Sequence, residues 1–290
     1  MRRIGNELAC LWEFWLLPLA VALLPYRAGI ALARWCAANL SLYDERARAG
    51  VAHYRAAYPR GDASRWLAEF RFAQLVDHAD LFWALTRSRR FLLARLDAPP
   101  RLGAAPLMVI SMHFGQGLFL LPWLRAGGTP ARFVSLRFDS TTFESHLCYL
   151  YARLRMRVVE KLAGVPAIYT GGARDEIAAT FAQGGAVYGL IDVPTPPSNP
   201  ANATLFGAPI FWPSGLVDVA RAASAEVLLL TAHCAADGRR HVASERRTAA
   251  SVADIAHEFG ARIDAAPGAW HFWHFLPDFA VSDIEAQALA

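Results

Sequence analysis

From Leu107 onward, short apolar runs alternate with stretches of helical period, and nothing else in the sequence constrains the fold as much. The runs LMVISMH (107–113), ARFVSLR (131–137), AVYGLID (186–192) and EVLLLTAHC (226–234) read as buried strands. Between them, GLFLLPWLRAGG (117–128), FESHLCYLYARLRMR (143–157), ARDEIAATFAQGG (173–185) and GLVDVARAASA (215–225) predict helices, two of them closed by glycines. A further strand is expected in VVEKL or AIYT, and a closing helix over SVADIAHEFGARIDAAPGAW (251–270). This alternation predicts an α/β fold with a mostly parallel central sheet flanked by helices. Ligands of such sheets bind beyond the carboxyl ends of the strands. His113, Arg137 and Asp192 each fall at or just after a strand end, so the topology puts them on one edge.

What precedes the alternation is helical and very apolar. Residues 41–100 read as a helical lead-in to a single domain over 41–290, and residues 1–40 as membrane-associating helices. The uncharged stretch Phe14–Tyr26 is 13 residues and contains Pro18 and Pro25, whereas a spanning helix needs about 20. Arg2 and Arg3 precede it, Arg27 and Arg34 follow, and Trp12, Trp15, Tyr26 and Trp35 fit an interfacial belt. The expectation is a helix lying in the inner leaflet, and the alternative is an ordinary buried first helix. No small-residue cleavage site follows cleanly. Over the whole chain, 55% of residues are hydrophobic and only 19% charged, more apolar than a typical soluble domain. The net charge of +4 is carried almost wholly by arginine, since Lys161 is the single lysine. A mild basic excess suits an anionic membrane surface or an acidic carrier protein. No basic strand interleaved with aromatics and no zinc spacing points to nucleic acid. Cys10, Cys36, Cys148 and Cys234 are scattered without a CxxC pair, so neither a disulfide framework nor a zinc site is expected, and a reducing compartment fits.

SMHFGQG (111–117), the segment from YGLIDV through LFGAPIFWPSG to EVLLL (188–230), and APGAWHFWHF (266–275) occur in this order. Together they resemble the bacterial lipid A biosynthesis acyltransferases, the lauroyl/myristoyl family, over most of the chain. The resemblance implies transfer of an acyl group from an acyl carrier protein, or from CoA, to a hydroxyl or amine of a lipid-like acceptor, at the cytoplasmic face of the inner membrane. It implies His113 as general base, and an acidic residue five positions on to orient it. Here that position is Leu118; Gly117 replaces the usual aromatic, Gln116 replaces Asn, and the D-Q pair is Asp192-Val193. Phe275 and Leu276 follow His274 where the family carries a basic pair, which argues against a phosphorylated lipid A precursor as acceptor.

Without the motif acid, a backbone carbonyl or another carboxylate is expected to orient His113, with Asp192 the first candidate and Asp139 the second. An intrinsically more nucleophilic acceptor, such as an amine or thiol, is the alternative. Gly115, Gln116 and Gly117 are candidates to bind substrate. Gly115 and Gly117 allow close approach of backbone to substrate, and the N–H groups of the following helix start are candidates to hold a thioester oxyanion. A plain strand-to-helix turn is the other reading. Arg137 is a candidate for a phosphate or phosphopantetheine group, with Asp139 two residues on. Phe206, Gly207 and Trp212 lie in a proline-rich stretch, 195–215, expected to form a loop or lid whose aromatics line an acyl channel. Arg153, Arg155 and Arg157 read as a solvated face. His271 and His274, at i, i+3 with no third ligand near, read as part of an aromatic cluster rather than a metal site, and no cofactor is expected. Two other functions fit the same residues: a non-catalytic acyl-binding or scaffold subunit, and an acyl-thioester hydrolase.

Overall fold

The computed structural model describes residues 2–103, 106–141, 143–194, 201–235 and 237–281. Helix α1 (Arg2–Cys10) continues through a π-helical stretch (Leu11–Leu16) into α2 (Leu17–Leu23), and Pro25 turns the chain into α3 (Tyr26–Asn39). Then come α4 (Asp44–Ala57), α5 (Ala63–Thr86) and the short α6 (Arg89–Leu93), as the helical lead-in predicts. Asp62 starts α5 by accepting the Ser64 and Arg65 N–H groups at 2.9 and 3.0 Å. Its 24 residues give it a length of about 36 Å, enough to cross the domain.

The alternating part follows as β1 (Leu107–Ser111), α7 (Leu120–Ala126), β2 (Ala131–Ser135), α8 (His146–Ala163), β3 (Ile168–Tyr169), α9 (Ala173–Ala182), β4 (Ala186–Leu190), β5 (Ala203–Leu205), β6 (Ala208–Ile210), α10 (Gly215–Ala222), β7 (Glu226–Cys234), β8 (Arg240–Arg247), α11 (Val252–Ala265) and α12 (Leu276–Phe279). Six strands form one sheet in the order β3-β2-β4-β1-β7-β8. All neighbouring pairs are parallel except β7–β8. The expected mostly parallel sheet flanked by helices is therefore present. β1 sits between β4 and β7 with all five residues buried, as its uninterrupted apolar run requires. Leu107 and Val109 face a core built with α2, α3, the second half of α5, α7 and α8. Met108 and Ile110 face another, built with α9, α10, α11 and a tryptophan-rich cluster.

Four elements depart from the sequence expectations. VVEKL belongs to α8, which Gly164 closes in a left-handed conformation, and the strand is the AIYT half. The closing helix stops at Ala265, because Pro267 cannot donate to a continuing helix. β8 is a polar antiparallel edge strand, RHVASERR, without the apolar period that marks the others. Within 195–215, residues 195–200 lie outside the described residues. The rest is not a lid: β5 and β6 form a hairpin turned at Phe206 (φ 52°) and Gly207 (φ 78°), the positive pair a two-residue hairpin turn needs.

The N-terminal helices are built into the domain. Glu7 accepts N–H groups of His146 and Leu147 at 2.7 and 3.1 Å and the Ser145 hydroxyl at 2.8 Å, so α1 caps α8. Cys10 and Cys148 form a disulfide with Cα atoms 5.9 Å apart. This corrects the expectation of unpaired cysteines: helix packing brings together two residues 138 positions apart, which no local spacing reveals. Trp15 and Tyr26 also leave the expected interfacial belt. The Trp15 indole donates to the Leu147 carbonyl at 3.2 Å, and the Tyr26 hydroxyl donates to the Gly238 carbonyl. Trp12 and Trp35 remain exposed, at 44% and 57%. Ile4–Leu23 is the one described helix long and apolar enough to cross a membrane, with 28% of it buried; a signal sequence or a core helix passes the same test.

Candidate functional site

Strand pairing dictates the site. β1 and β4 run parallel in register from Leu107↔Ala186 to Ser111↔Leu190, and the Ile191 N–H continues the ladder to Ser111 O at 2.9 Å. Two residues past the last pair on each strand stand His113 and Asp192. The His113 Nδ1 lies 2.9 Å from Asp192 Oδ1, and the His113 backbone N–H donates to both carboxylate oxygens at 3.0 and 2.9 Å. Asp192 is fully buried, and the Trp270 indole N–H donates to its Oδ2 at 2.9 Å. Three donors thus satisfy the buried carboxylate.

Trp270 arrives on a belt that pairs with the chain leaving β1. The Gly115 N–H donates to Ala269 O at 2.7 Å and the His271 N–H to His113 O at 2.8 Å, with Phe114 and Trp270 in an antiparallel bridge. The belt also lays Phe272 on the His113 ring, centroids 3.9 Å apart and planes 20° from parallel. One face of the imidazole is covered, its Nδ1 is held, and the side chain is 30% exposed. With the carboxylate accepting Nδ1–H, Nε2 presents its lone pair to whatever enters the site. Chemically, such a pair can serve as a general base with its tautomer fixed.

Of the expected residues, Asp192 takes the orienting position. Asp139 does not: it is exposed and accepts the Thr141 N–H at 2.7 Å in its own loop. The Gly115 N–H is spent on Ala269 O and the Gln116 N–H on Ala232 O at 2.9 Å, so any oxyanion donors are left to the helix start that follows. Gly115 is required for a different reason. It has φ 57°, and a Cβ there would drive into the Ala232 carbonyl. Gly115→Ala is expected to cost more than the roughly 1–3 kcal/mol of such backbone strain, read as a lower denaturant midpoint. The Gln116 side chain is buried and donates to Ala73 O at 3.3 Å. Gly117 opens a 3-10 turn at the start of α7, with the Tyr188 hydroxyl nearby.

Arg137 is exposed, its guanidinium 5.1 Å from the centre of the Tyr169 ring. It follows β2, two strands from β1, so about 10 Å of lateral distance separates it from the dyad. Trp212 does not line a channel. It is fully buried, with its backbone N–H and carbonyl both held by the Asn202 amide. Phe206 stacks on Trp273 at 5.1 Å and sits 6.2 Å from Trp270, behind the dyad, while Gly207 is exposed at the hairpin tip. Arg155 is no solvated residue: it pairs with Asp77 of α5 at 2.9 Å. No group of three or more metal-ligating side chains occurs among the described residues.

Sequence reasoning missed Trp270 and Phe272 as parts of the site. Their signal was the order of motifs, since a tryptophan next to a buried carboxylate is legible only once the belt is seen to pair beyond His113. Burial pushes the His271 imidazole down to about 4, so it stays neutral beside the dyad. No protein-family model matches the chain, and no curated protein matches it.

Proposed function

We propose that this chain is an acyltransferase of the kind its motifs resemble, with His113 as general base and Asp192 as the residue that orients it. The observation supporting this most is the carboxylate at His113 Nδ1: Asp192 reaches it from the neighbouring strand, while Leu118, at the family's acid position, is buried in the core. In the reaction, Nε2 takes the proton from an acceptor hydroxyl or amine. The acceptor oxygen or nitrogen attacks the thioester carbonyl carbon, the C–S bond breaks, and the thiol leaves with the proton returned from the imidazolium. Arg137, exposed just past β2 on the same sheet edge, is the candidate to hold the phosphate of a phosphopantetheine or CoA arm. The acceptor is a lipid-like or specialised-metabolite molecule, consistent with Phe275 and Leu276 in place of a basic pair.

Membrane association belongs to the same reading. Ile4, Leu8, Trp12 and Leu16 are exposed at four-residue steps, and Leu23, Leu24 and Trp35 extend the apolar surface. A helix lying on the cytoplasmic leaflet, by its apolar stripe, fits this pattern. That placement makes a redox prediction, because cytoplasmic thiols are kept reduced. Alkylation in cells quenched with acid is expected to label both Cys10 and Cys148, with the disulfide closing after lysis. A disulfide already present in quenched cells would move the domain to the opposite side of the membrane.

The test of function is turnover by mass spectrometry, with a panel of acyl carrier thioesters and acyl-CoAs and a membrane extract as acceptor source. An acylated product is expected. Bound acyl chain without product would make the chain a scaffold, and free acid without acceptor would make it a hydrolase.

A further inference from the structure

Far from the dyad, four cations meet around one open cavity of about 450 Å³. Its lining includes Arg87, Arg89, Arg125 and Lys161, with Ala84, Leu92 and Leu162 as its apolar wall. No carboxylate lines it, and none of the four cations is in an ion pair among the described residues, although arginines elsewhere make many. Like charges gathered without a counter-charge repel one another, and an anion seated among them relieves that repulsion. Arg125 and Lys161 lie near the ends of α7 and α8, just before the chain returns to β2 and β3. That is the amino-terminal edge of the sheet, opposite the edge bearing His113.

What surrounds the cavity narrows the anion. The Arg87 guanidinium donates to the carbonyls of Ala22, Leu23 and Leu24 at 3.3 to 3.4 Å, and Arg89 to Pro122 O at 3.5 Å. These contacts hold Arg87 where α2 ends and Arg89 against α7. Leu23, Leu24 and Leu85, beside Ala84 and Arg87, are exposed at 61%, 37% and 41%. A charged socket with an apolar rim matches a molecule with an anionic head and a hydrocarbon tail, and guanidinium and ammonium groups together suit phosphate oxygens.

We propose that this cavity binds the phosphate head of an anionic amphiphile, at a site separate from the dyad. The proposal does not depend on the chain being an acyltransferase, because its test reads binding and not turnover. Flotation with phosphatidylcholine vesicles containing phosphatidic acid is compared with calorimetry using glycerol 3-phosphate. The variant is Arg125→Gln/Lys161→Gln, and Lys161→Gln alone is the milder version, since Lys161 is exposed at the end of α8. The control Arg60→Gln/Arg174→Gln removes the same charge from exposed positions on the other side of the sheet.

Binding to the vesicles is expected to weaken about thirtyfold in the double variant and severalfold in Lys161→Gln, with the control within about twofold of wild type. Glycerol 3-phosphate binding as tight as the vesicles, and lost in the same variants, would keep the phosphate site but overturn the amphiphile. Equal loss in variant and control, or no binding of either probe by the wild type, would overturn the site itself.

Discussion

Replacing His113 by alanine is expected to lower acyl transfer by about 10²–10⁴-fold with little change in stability, the range that a positioned general base supplies. The side chain is 30% exposed and lies at a strand end, so its loss leaves no buried cavity. Asp192→Asn is the more discriminating variant. With its oxygen in the Oδ2 position, the Asn side chain can still accept from the His113 backbone N–H and from Trp270. Its amide N–H₂, however, would point a donor at Nδ1. The imidazole then moves its proton to Nε2 and loses the lone pair that does the work. Turnover is expected to fall nearly as far as in the alanine variant while the thermal midpoint stays close to that of the wild type. Full activity in His113→Ala would remove the histidine from the mechanism, and full activity in Asp192→Asn would leave the base without need of its partner.

Acid is expected to destabilise the fold well before ordinary carboxylates titrate. Burial lowers His78 to about 3 and His271 to about 4, whereas the unfolded chain takes up these protons near 6.5. Between those limits the unfolded state binds more protons, so stability falls as pH falls, by up to about 1.4 kcal/mol per unit and per histidine. From pH 7 to pH 5 the two together remove about 4 kcal/mol, a large share of the roughly 5–15 kcal/mol a domain has. His274, lowered by burial to about 4, adds in the same direction. Asp80 opposes it, because burial raises its carboxyl against the pull of Arg240 and the native state holds that proton longer. Denaturant midpoints measured from pH 7 to 5 should therefore decline steadily. His78→Gln, whose side-chain amide can still bond the Tyr43 hydroxyl, should flatten the slope. A midpoint that does not move over this range would mean these imidazoles are not held neutral.

How much of this was legible varied with how local the cause was. The strands β1, β4 and β7 announce themselves because they are buried on both faces, and their ends located His113 and Asp192. Parallel register makes the two residues partners, and that follows from sequence alone once β4 is taken as the neighbour of β1. The connection order does not say which strand that neighbour is. The N-terminal helix read as a membrane element from its composition, and its exposed leucines and tryptophans keep that apolar face. Its other face, with Glu7 on α8, Cys10 on Cys148 and Trp15 on Leu147, depends on docking that no periodicity encodes. Trp212 and Gly115 were read for their chemistry, yet the first is packing and the second is a close approach to Ala232.

The belt at 269–271 has a consequence for when the molecule becomes competent. His113, Asp192 and Trp270 are joined by contacts 78 and 79 positions apart in the chain, and the last of the three follows both strands of the dyad. Loop closure over such distances comes late, after local helices have formed. A ribosome that has made β1 and β4 has made a histidine and a carboxylate, but one wall of their site is still unsynthesised. A chain cut before residue 269 keeps both members of the dyad and lacks the indole donor to Asp192 and the ring that covers His113.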